Sequence, residues 1–271
     1  MKGSIIKNNK RNLYKLFILF FWISIWQGVH WIIGRDIYVP SPFHVFSTLK
    51  ELMGQWFFWK TIGFSIYRVI LGLSLSILTG IVLGIFSSLN PIVYDLLHPL
   101  VVAIKSTPVL SFIILALIWF SSSNVPIFIC FLMCFPIIWT NVVTGIRNVD
   151  KKLLEMARVY GVKKWLILKK IYLPSIMPYI SSACITALGL GWKVSVAAEV
   201  LSHPRNAIGS YLYSAKVYLE SKELFAWTLV VILLSLLFEK LIGAFIERLS
   251  RKRTFRDNGI QKGDYENETS N

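Results

Sequence analysis

Charged side chains are scarce inside the long apolar runs of this chain, and the few that occur there are candidates for chemistry. Arg68 and Lys193 lie deepest within such runs, and Glu199 follows Lys193 by six residues. Ionisable groups are costly in hydrocarbon, so membrane proteins mostly keep them for solute pathways or for ion pairs. The two cations therefore have two interpretations. They present positive charge to an anionic solute, or they pair with Glu199 and hold helices together.

Two neutral residues near Lys193 extend this candidate pathway. Ser195 would supply a hydroxyl group and Trp192 an apolar wall. An interior serine of a membrane helix also commonly bonds its own backbone, so a structural role for Ser195 stays open. The other ionisable residues of these runs lie near their ends, where snorkelling or local pairing explains them: Asp95, His98, Lys105, Glu239 and Lys240.

The residue pattern does not favour catalysis or metal binding. Each histidine lacks a neighbouring nucleophile or carboxylate in sequence: His30, His44, His98 and His203. The cysteines form no C-x-x-C pair and are expected to be small packing residues: Cys130, Cys134 and Cys184. No Gly-Lys dipeptide occurs, which excludes the G-x-x-x-x-G-K-[ST] loop that cradles phosphates. We therefore expect no catalytic residue, no metal and no cofactor in this chain.

The elements that must position these residues are membrane helices. The 271 residues are 55% hydrophobic and only 16% charged, with a mean hydropathy of +0.60, which is too apolar for a soluble domain. Strand-like alternation at ten-residue spacing is absent, so an all-α polytopic bundle is expected rather than a barrel. Six runs are long enough to span a bilayer: 13–33, 62–89, 100–120, 125–146, 176–197 and 224–246.

The distribution of the net charge of +15 indicates an orientation rather than a nucleic-acid partner. With the N-terminus inside, the inner segments carry five Lys and Arg residues in 1–15, eight in 147–175 and six in 247–271. The outer segments carry three in 34–61 and three in 198–223. This asymmetry follows the positive-inside rule, so both termini are expected in the cytoplasm of a cell with the chain in its plasma or inner membrane.

The sequence divides into three parts. Residues 1–60 are predicted to hold a cytoplasmic tail, a first span retained for want of a cleavage site, and an outer segment. In that segment, residues 43–58 have the pattern of an interfacial helix or a lid. Residues 61–246 are predicted to form one membrane domain, which contains the other five apolar runs and the polar segment 147–175. Residues 247–271 form a tail that is first basic, with Arg251 to Arg253 near lipid headgroups, and then disordered.

Glycine and proline residues mark features of the second and third spans. Gly80 and Gly84 form a G-x-x-x-G face that would let another helix approach closely, although ordinary membrane-helix glycines would look the same. Asn90-Pro91 is predicted to end the second span. Thr107-Pro108 is predicted to kink the third span near its cytoplasmic end.

The polar segment 147–175 is the most distinctive part of the chain. Lys151, Glu155 and Arg158 share one face of a short helix, and apolar residues form the other. Gly161 would end that helix with a positive φ, a second helix would restart at Lys163, and Leu173-Pro174 would stop it. An ordinary interfacial helix pair would satisfy much of this pattern. A loop that only joins two spans would be far shorter, commonly about 2–8 residues.

The spacing of this segment resembles the EAA loop of permease subunits in bacterial ABC importers. Its matching positions are Glu155, Ala157, Gly161, Ile171, Leu173 and Pro174, while Met156 replaces the second alanine. Further positions are similar to the nitrate, sulfonate, taurine and bicarbonate group, whose relatives also import thiamine and riboflavin precursors: Arg68-Val69-x-x-Gly72, Ser106-Thr107-Pro108, Gly189-x-Gly191-Trp192 and Ala198-Glu199.

The resemblance implies that residues 61–246 form a type I permease domain, with 147–175 as its cytoplasmic coupling loop, and that separate proteins supply the energy and capture the solute. The six loop residues would dock on a separate ATPase that uses ATP, and an extracytoplasmic solute-binding protein would deliver the solute. The implied partners are therefore two ATPase subunits, the binding protein, the lipid membrane and a second permease. We expect that permease to be a second copy in a C2 dimer, with a non-identical permease as the alternative. The solute is expected to be an anion such as an aliphatic sulfonate, taurine or nitrate, with vitamin precursors as the alternative.

Two other classes are weaker explanations of the sequence. A self-contained secondary transporter should show mid-span carboxylates or histidines and repeats of broken helices, and such carboxylates are nearly absent. A membrane-embedded enzyme would need convergent His, Asp or Glu residues at the interface, and none converge in the sequence. A transport subunit rather than an enzyme is therefore expected.

Overall fold

The computed structural model describes residues 2–241 and 243, with side chains at residue 14 and from residue 16 onward. Every regular element in this range is helical, which confirms the all-α class. The helices are α1 (Lys2–Ile33), α2 (Pro42–Met53), α3 (Trp56–Leu89), α4 (Pro91–Ser106), α5 (Val109–Trp119), α6 (Val125–Arg147), α7 (Lys151–Val159), α8 (Lys164–Ile167), α9 (Leu173–Ser202), α10 (Ile208–Val217) and α11 (Ser221–Leu241).

Five helical segments are long and apolar enough to cross a membrane, and a broken pair makes a sixth. The five are α1, α3, α6, α11 and the continuous stretch Lys164–Ser202 that contains α8 and α9. The pair is α4 and α5, which meet at an angle of 107°. The predicted bundle of about six spans is therefore confirmed.

Helices α3, α6 and α9 form the centre of the bundle. A Cβ atom added to Gly72 would lie 2.7 Å from Cys130 Cβ, one on Gly80 2.8 Å from Ile138 Cβ, and one on Gly84 2.8 Å from Val142 Cβ. The close approach predicted for this glycine face is confirmed. Glycines farther along α3 contact residues farther along α6, so the two helices run parallel. The chain must therefore cross back through α4 and α5 between them.

Helix α9 packs against α6 in the opposite direction. Cys134 Sγ donates to the carbonyl of Ala187 near the middle, and Tyr179 packs beside Gly145 near the end where α6 finishes. The end of the bundle that carries α7 is called the loop end below. The end near Glu199 and α10 is called the far end.

Proline shapes the third span more strongly than expected. Asn90 ends α3 as predicted and caps α4 by accepting a hydrogen bond from the Ile92 amide. The kink predicted at Thr107-Pro108 is a full break, because Thr107 is extended (φ −84°, ψ 135°). A residue before proline is pushed out of the helical region. Helix α5 alone has 11 residues and is too short to span a bilayer.

The prediction that Leu173-Pro174 stops a helix is wrong. The chain continues from Lys164 to Ser202 through a π-helical turn at Leu168–Tyr172. In that turn the Leu173 amide donates to the carbonyl of Leu168, five residues back. Proline lacks an amide donor and clashes with the carbonyl four residues earlier. The wider turn accommodates Pro174 without ending the helix.

The outer segment also differs from its prediction. The predicted helix 43–58 is interrupted at Gly54-Gln55, so that α2 ends at Met53 and α3 begins at Trp56. Helix α10, at the far end, was not predicted at all. The basic and disordered tail proposed for 247–271 lies outside the described residues.

Candidate functional site

The deepest predicted charges meet in a buried ion pair at the far end of the bundle. Arg68 Nη1 lies 3.0 Å from Glu199 Oε1, and the two residues are 4% and 0% exposed. Arg68 also donates to the carbonyls of Arg205 (2.9 Å) and Asn206 (3.2 Å). The pair joins α3 to α9 and to the loop before α10. Its charges are mutually neutralised in this conformation.

Two groups that sequence reasoning missed complete the environment of Glu199. Ser65 Oγ donates to Glu199 Oε2 at 2.9 Å and accepts from the Ile208 amide at 3.0 Å. The Gly209 amide also donates to Oε2, at 3.1 Å. A Cβ atom on Gly209 would lie 2.4 Å from Val200 N, so only glycine lets α10 approach α9 this closely. Ser65 lies one helical turn before Arg68 and so shares its helix face. This spacing is the sequence pattern that could have identified Ser65 as a neighbour of the ion pair.

Trp192 and Ser195 are both buried, although Trp192 also lines the cavity described below for Lys193. Trp192 donates from Nε1 to the Val231 carbonyl at 3.1 Å and packs edge-on against Phe238. Ser195 is 1% exposed, and its hydroxyl has no hydrogen-bond partner among the described residues. Both side chains contribute to the packing around α9 in this conformation.

Lys193 is the one exposed member of the predicted pathway set. It lines a cavity of about 380 Å³ together with Gly189, Ser235 and Glu239. No carboxylate in the described part of the chain forms an ion pair with it. Lys193 belongs to an exposed stripe of small and polar residues on one face of α9: Ser182, Thr186, Gly189, Lys193 and Ala197.

The polar loop folds as an exposed helix and turn. Asp150, missed as a cap in the sequence, accepts from the Lys152 amide at 2.8 Å and begins α7. Gly161 has the predicted positive φ (+64°) after α7. Ala157 is buried, whereas Glu155 is exposed and forms no ion pair within the described residues. Ile171 is half-buried, and Leu173 and Pro174 are exposed at the π-helical turn.

Apart from Ala157, the apolar residues of α7 and its C-terminal end are largely uncovered by the described part of the chain. The exposed residues of this apolar face are Leu153 (47%), Met156 (56%), Val159 (84%) and Tyr160 (79%). A cavity of about 500 Å³ lies beside this face, between α7 and the π-helical turn, and its lining includes Leu154, Arg158 and Tyr172. This part of the loop end therefore presents a combined apolar and basic surface.

A smaller cluster of charged residues links three elements at the far end. Asp36 lies 3.0 Å from His44 Nδ1 and 3.3 Å from Lys222 Nζ, and so links the loop after α1 to α2 and α11. Desolvation raises the pKa of Asp36, but the Lys222 hydrogen bond and the nearby positive charges outweigh it and leave the pKa below its usual value of 3.8. The Ser221 hydroxyl donates to the Ile37 carbonyl at the same junction.

Comparisons with known proteins agree on one family. Residues 76–255 match the family described as "Binding-protein-dependent transport system inner membrane component". The chain is 27% identical to the taurine transport system permease protein TauC of Escherichia coli K12, over 84% of this chain and 85% of that protein. It is 28% identical to the putative aliphatic sulfonates transport permease protein SsuC of Bacillus subtilis 168, over 85% and 82% of the two chains.

A solved structure supports the fold. The chain superposes on a chain of the MetNI methionine ABC transporter in an inward-facing conformation, with a TM-score of 0.56. The match covers 70% of this chain and 92% of that chain at 15% sequence identity. The expected importer permease fold is confirmed.

Proposed function

Because the chain belongs to the family of binding-protein-dependent transport system inner membrane components, we propose that it forms the membrane pathway of an ATP-driven importer for a small anion. The names of its relatives, which refer to taurine and to aliphatic sulfonates, support this solute class. Taurine, an aliphatic sulfonate or nitrate is the proposed solute. The family is one of transport proteins.

The exposed apolar face of α7 is the observation that carries the coupling proposal. Leu153, Met156 and Val159 expose large apolar surfaces at the loop end, where they would be covered by a partner. The loop joins α6 directly to α9, so a force applied to α7 would reach two central helices. An ATPase subunit docked on Glu155, Ala157, Gly161, Ile171, Leu173 and Pro174 would move these helices as rigid bodies when it binds ATP.

The exposed stripe of α9 supports a place for the solute pathway. Lipid contact is unfavourable for an exposed lysine in mid-membrane, so such a residue usually faces a water-filled space or another chain. Two copies related by a twofold axis would place two Lys193 side chains around one pathway. Arg68 and Glu199 stay predicted pathway residues that would act only if the buried ion pair opened. Trp192 and Ser195 would hold Lys193 in position by packing on the buried side of α9.

The proposed assembly contains two ATPase subunits, a second permease copy and an extracytoplasmic binding protein. The far end, with α2, α10 and the Asp36 cluster, is the proposed docking side for the binding protein. The positive-inside distribution places α7 and both termini in the cytoplasm under this proposal.

The alternatives predict different transport behaviour. A permease for a thiamine or riboflavin precursor would use the same fold and coupling loop with a heterocyclic solute. A secondary transporter would move its solute without ATP.

A co-purification and uptake experiment tests the proposal. The full chain is extracted from native membranes in mild detergent, its co-eluting proteins are identified by mass spectrometry, and the complex is reconstituted with ATP. Uptake of taurine, ethanesulfonate and nitrate is then compared with uptake of a thiamine precursor. We expect ATP-dependent uptake of one of the anions.

Two glycines offer a matched pair of variants. Gly161 and Gly34 both have positive φ (+64° and +66°), and a Cβ atom added to either would meet no other atom within 4 Å. Gly161→Trp should abolish ATPase association and uptake while the chain still assembles, whereas Gly34→Trp should keep the ATPase bound. Normal uptake in Gly161→Trp, or uptake that needs no ATP, would refute the coupling proposal.

A further inference from the structure

A basic cavity between α4 and α6 has no role in the proposed transport cycle. It has a volume of about 150 Å³, and its polar lining residues are Tyr94, His98, Lys105, Thr140, Thr144 and Arg147. Arg147 is the last residue of α6, so the cavity lies toward the loop end of the bundle. Thr140 is seven residues earlier, about 10 Å along the helix axis. The cavity thus extends from the end of α6 toward the middle of that helix.

Its two cations have unused hydrogen-bond donors. Lys105 Nζ donates to Thr140 Oγ1 at 2.8 Å, which leaves two of its three N–H groups. The Arg147 guanidinium carbon lies 3.9 Å from the centre of the Tyr94 ring. This stacking uses the face of the guanidinium and leaves its N–H edge available. Within the described residues, neither cation pairs with a carboxylate. Asp95, on the same helix as Lys105, does not line the cavity.

The walls of the cavity are fixed by packing. Tyr94 stacks on Trp139, with ring centres 5.6 Å apart. Trp139 is 2% exposed, and its Nε1 donates to Ser87 Oγ at 3.0 Å. On α6, Thr140, Thr144 and Arg147 share one face because they are separated by four and three residues. Tyr94 and Trp139 therefore form a packed wall, and the exposed side chains of Lys105, Thr144 and Arg147 line the same space.

The volume and chemistry of the cavity fit one small anionic group. The volume is several times the roughly 30 Å³ of a water molecule, yet below the roughly 300–1,000 Å³ of pockets for drug-sized ligands. The Thr140 hydroxyl already donates to the Pro136 carbonyl at 2.7 Å, so its role is to hold Lys105 in place. An oxyanion with several acceptor oxygens would satisfy the free donors of Lys105 and Arg147 and the Thr144 hydroxyl together. We propose that this cavity binds a phosphate group. The exposed apolar side chain of Val102, which lines the cavity with Lys105, would contact the acyl chain of a phospholipid, and free phosphate is the other source of the same chemistry.

The first arm of the test measures lipid. The full chain, with the partners it retains, is purified from native membranes and exchanged into mixtures of phosphatidylglycerol and phosphatidylcholine. Native mass spectrometry then counts the lipids that survive delipidation. We expect selective retention of phosphatidylglycerol, and a loss of roughly tenfold or more in Lys105→Gln/Arg147→Gln, because each lost contact is a charge-assisted hydrogen bond.

The matched control is Lys169→Gln/Lys170→Gln, which removes the same charge at the same end of the bundle but outside the cavity. It should retain phosphatidylglycerol like the unaltered chain. Lys105→Arg keeps a cation and should restore most of the retention, which separates loss of the site from loss of folding. Equal retention in both double variants would overturn the lipid source.

The second arm measures free phosphate. The delipidated chain is heated with increasing inorganic phosphate at constant ionic strength, and its unfolding temperature is recorded. Stabilisation that disappears in Lys105→Gln/Arg147→Gln but not in the control, without selective lipid retention, would assign the cavity to a soluble oxyanion. Failure of both arms would overturn the proposal. Neither readout depends on ATPase binding or uptake, so this result is independent of the proposed transport function.

Discussion

Among single residues, Arg68 and Glu199 carry the largest buried polar interaction described above. Transfer of two charges out of water is costly, and their attraction offsets that cost only when the remaining donors and acceptors are also satisfied. Here Ser65 and the Gly209 amide satisfy Glu199, while two loop carbonyls satisfy Arg68. The ion pair therefore orders the far end, because it fixes the loop before α10 as well as two central helices.

Removal of one partner should destabilise the fold. Glu199→Gln keeps an oxygen for Ser65 but leaves the buried Arg68 charge without a counter-ion, at a cost of about 3–5 kcal/mol. We expect a clear fall in unfolding temperature, measured by fluorescence-detected size-exclusion chromatography after heating. Glu220→Gln removes the same charge from an exposed position at the same end and should change the unfolding temperature little.

A double variant separates the pair from its neighbours. Arg68→Met/Glu199→Leu removes both charges, so it should be more stable than the sum of the single-variant effects implies. Strict additivity of the two single effects would show that the residues do not stabilise each other.

At the scale of helices, the α3–α6 contact depends on the absence of side chains at three positions of α3. A Cβ atom added to Gly80 would meet both Cβ and Cγ2 of Ile138 at 2.8 Å, and Ile138 is fully buried, so it has nowhere to move. The glycines thus set how closely the two parallel helices pack.

Gly80→Leu should force α3 and α6 apart. Overpacking of a tight core costs about 1–3 kcal/mol, and more where backbone atoms must move. We expect lower unfolding temperature and lower yield of monodisperse protein. Gly63→Leu is the control on the same helix, because nothing lies within 4 Å of a Cβ there. Ile138→Ala should partly rescue Gly80→Leu, and equal effects of the two leucine variants would contradict this account of the interface.

The accuracy of the sequence predictions differed with the physical signal behind them. Long apolar runs gave the spans correctly, since the bilayer thickness fixes their length. Proline located the break at Thr107-Pro108 but not its 107° angle, which depends on how α5 packs on α6. The helix through Pro174 was missed because a π-helical turn has no clear sequence pattern. Arg68 and Glu199 are 131 residues apart, so the sequence left their pairing open until the packing of α3 beside α9 was known.

At the scale of the whole molecule, the packing fixes how often the chain crosses the bundle. Because α3 and α6 run parallel, the broken pair of α4 and α5 must count as one crossing. With α1, α3, α6, α9 and α11, this makes six crossings in the described part, so α1 begins and α11 ends at the loop end. The direction of the bundle across the membrane follows from the distribution of Lys and Arg residues, which favours the loop end in the cytoplasm.

Cysteine labelling tests this direction. Lys50 on α2 is exposed at the far end, and Lys169 is exposed at the loop end. The native cysteines give little background, because Cys130 and Cys134 are buried and Cys184 is partly buried, and Cys184→Ser lowers it further. In intact cells a membrane-impermeant maleimide should label Lys50→Cys at once, whereas Lys169→Cys should react only after the membrane is opened. The opposite pattern would place α7 outside the cell, where no ATPase could reach it, and would refute the proposed coupling together with the orientation.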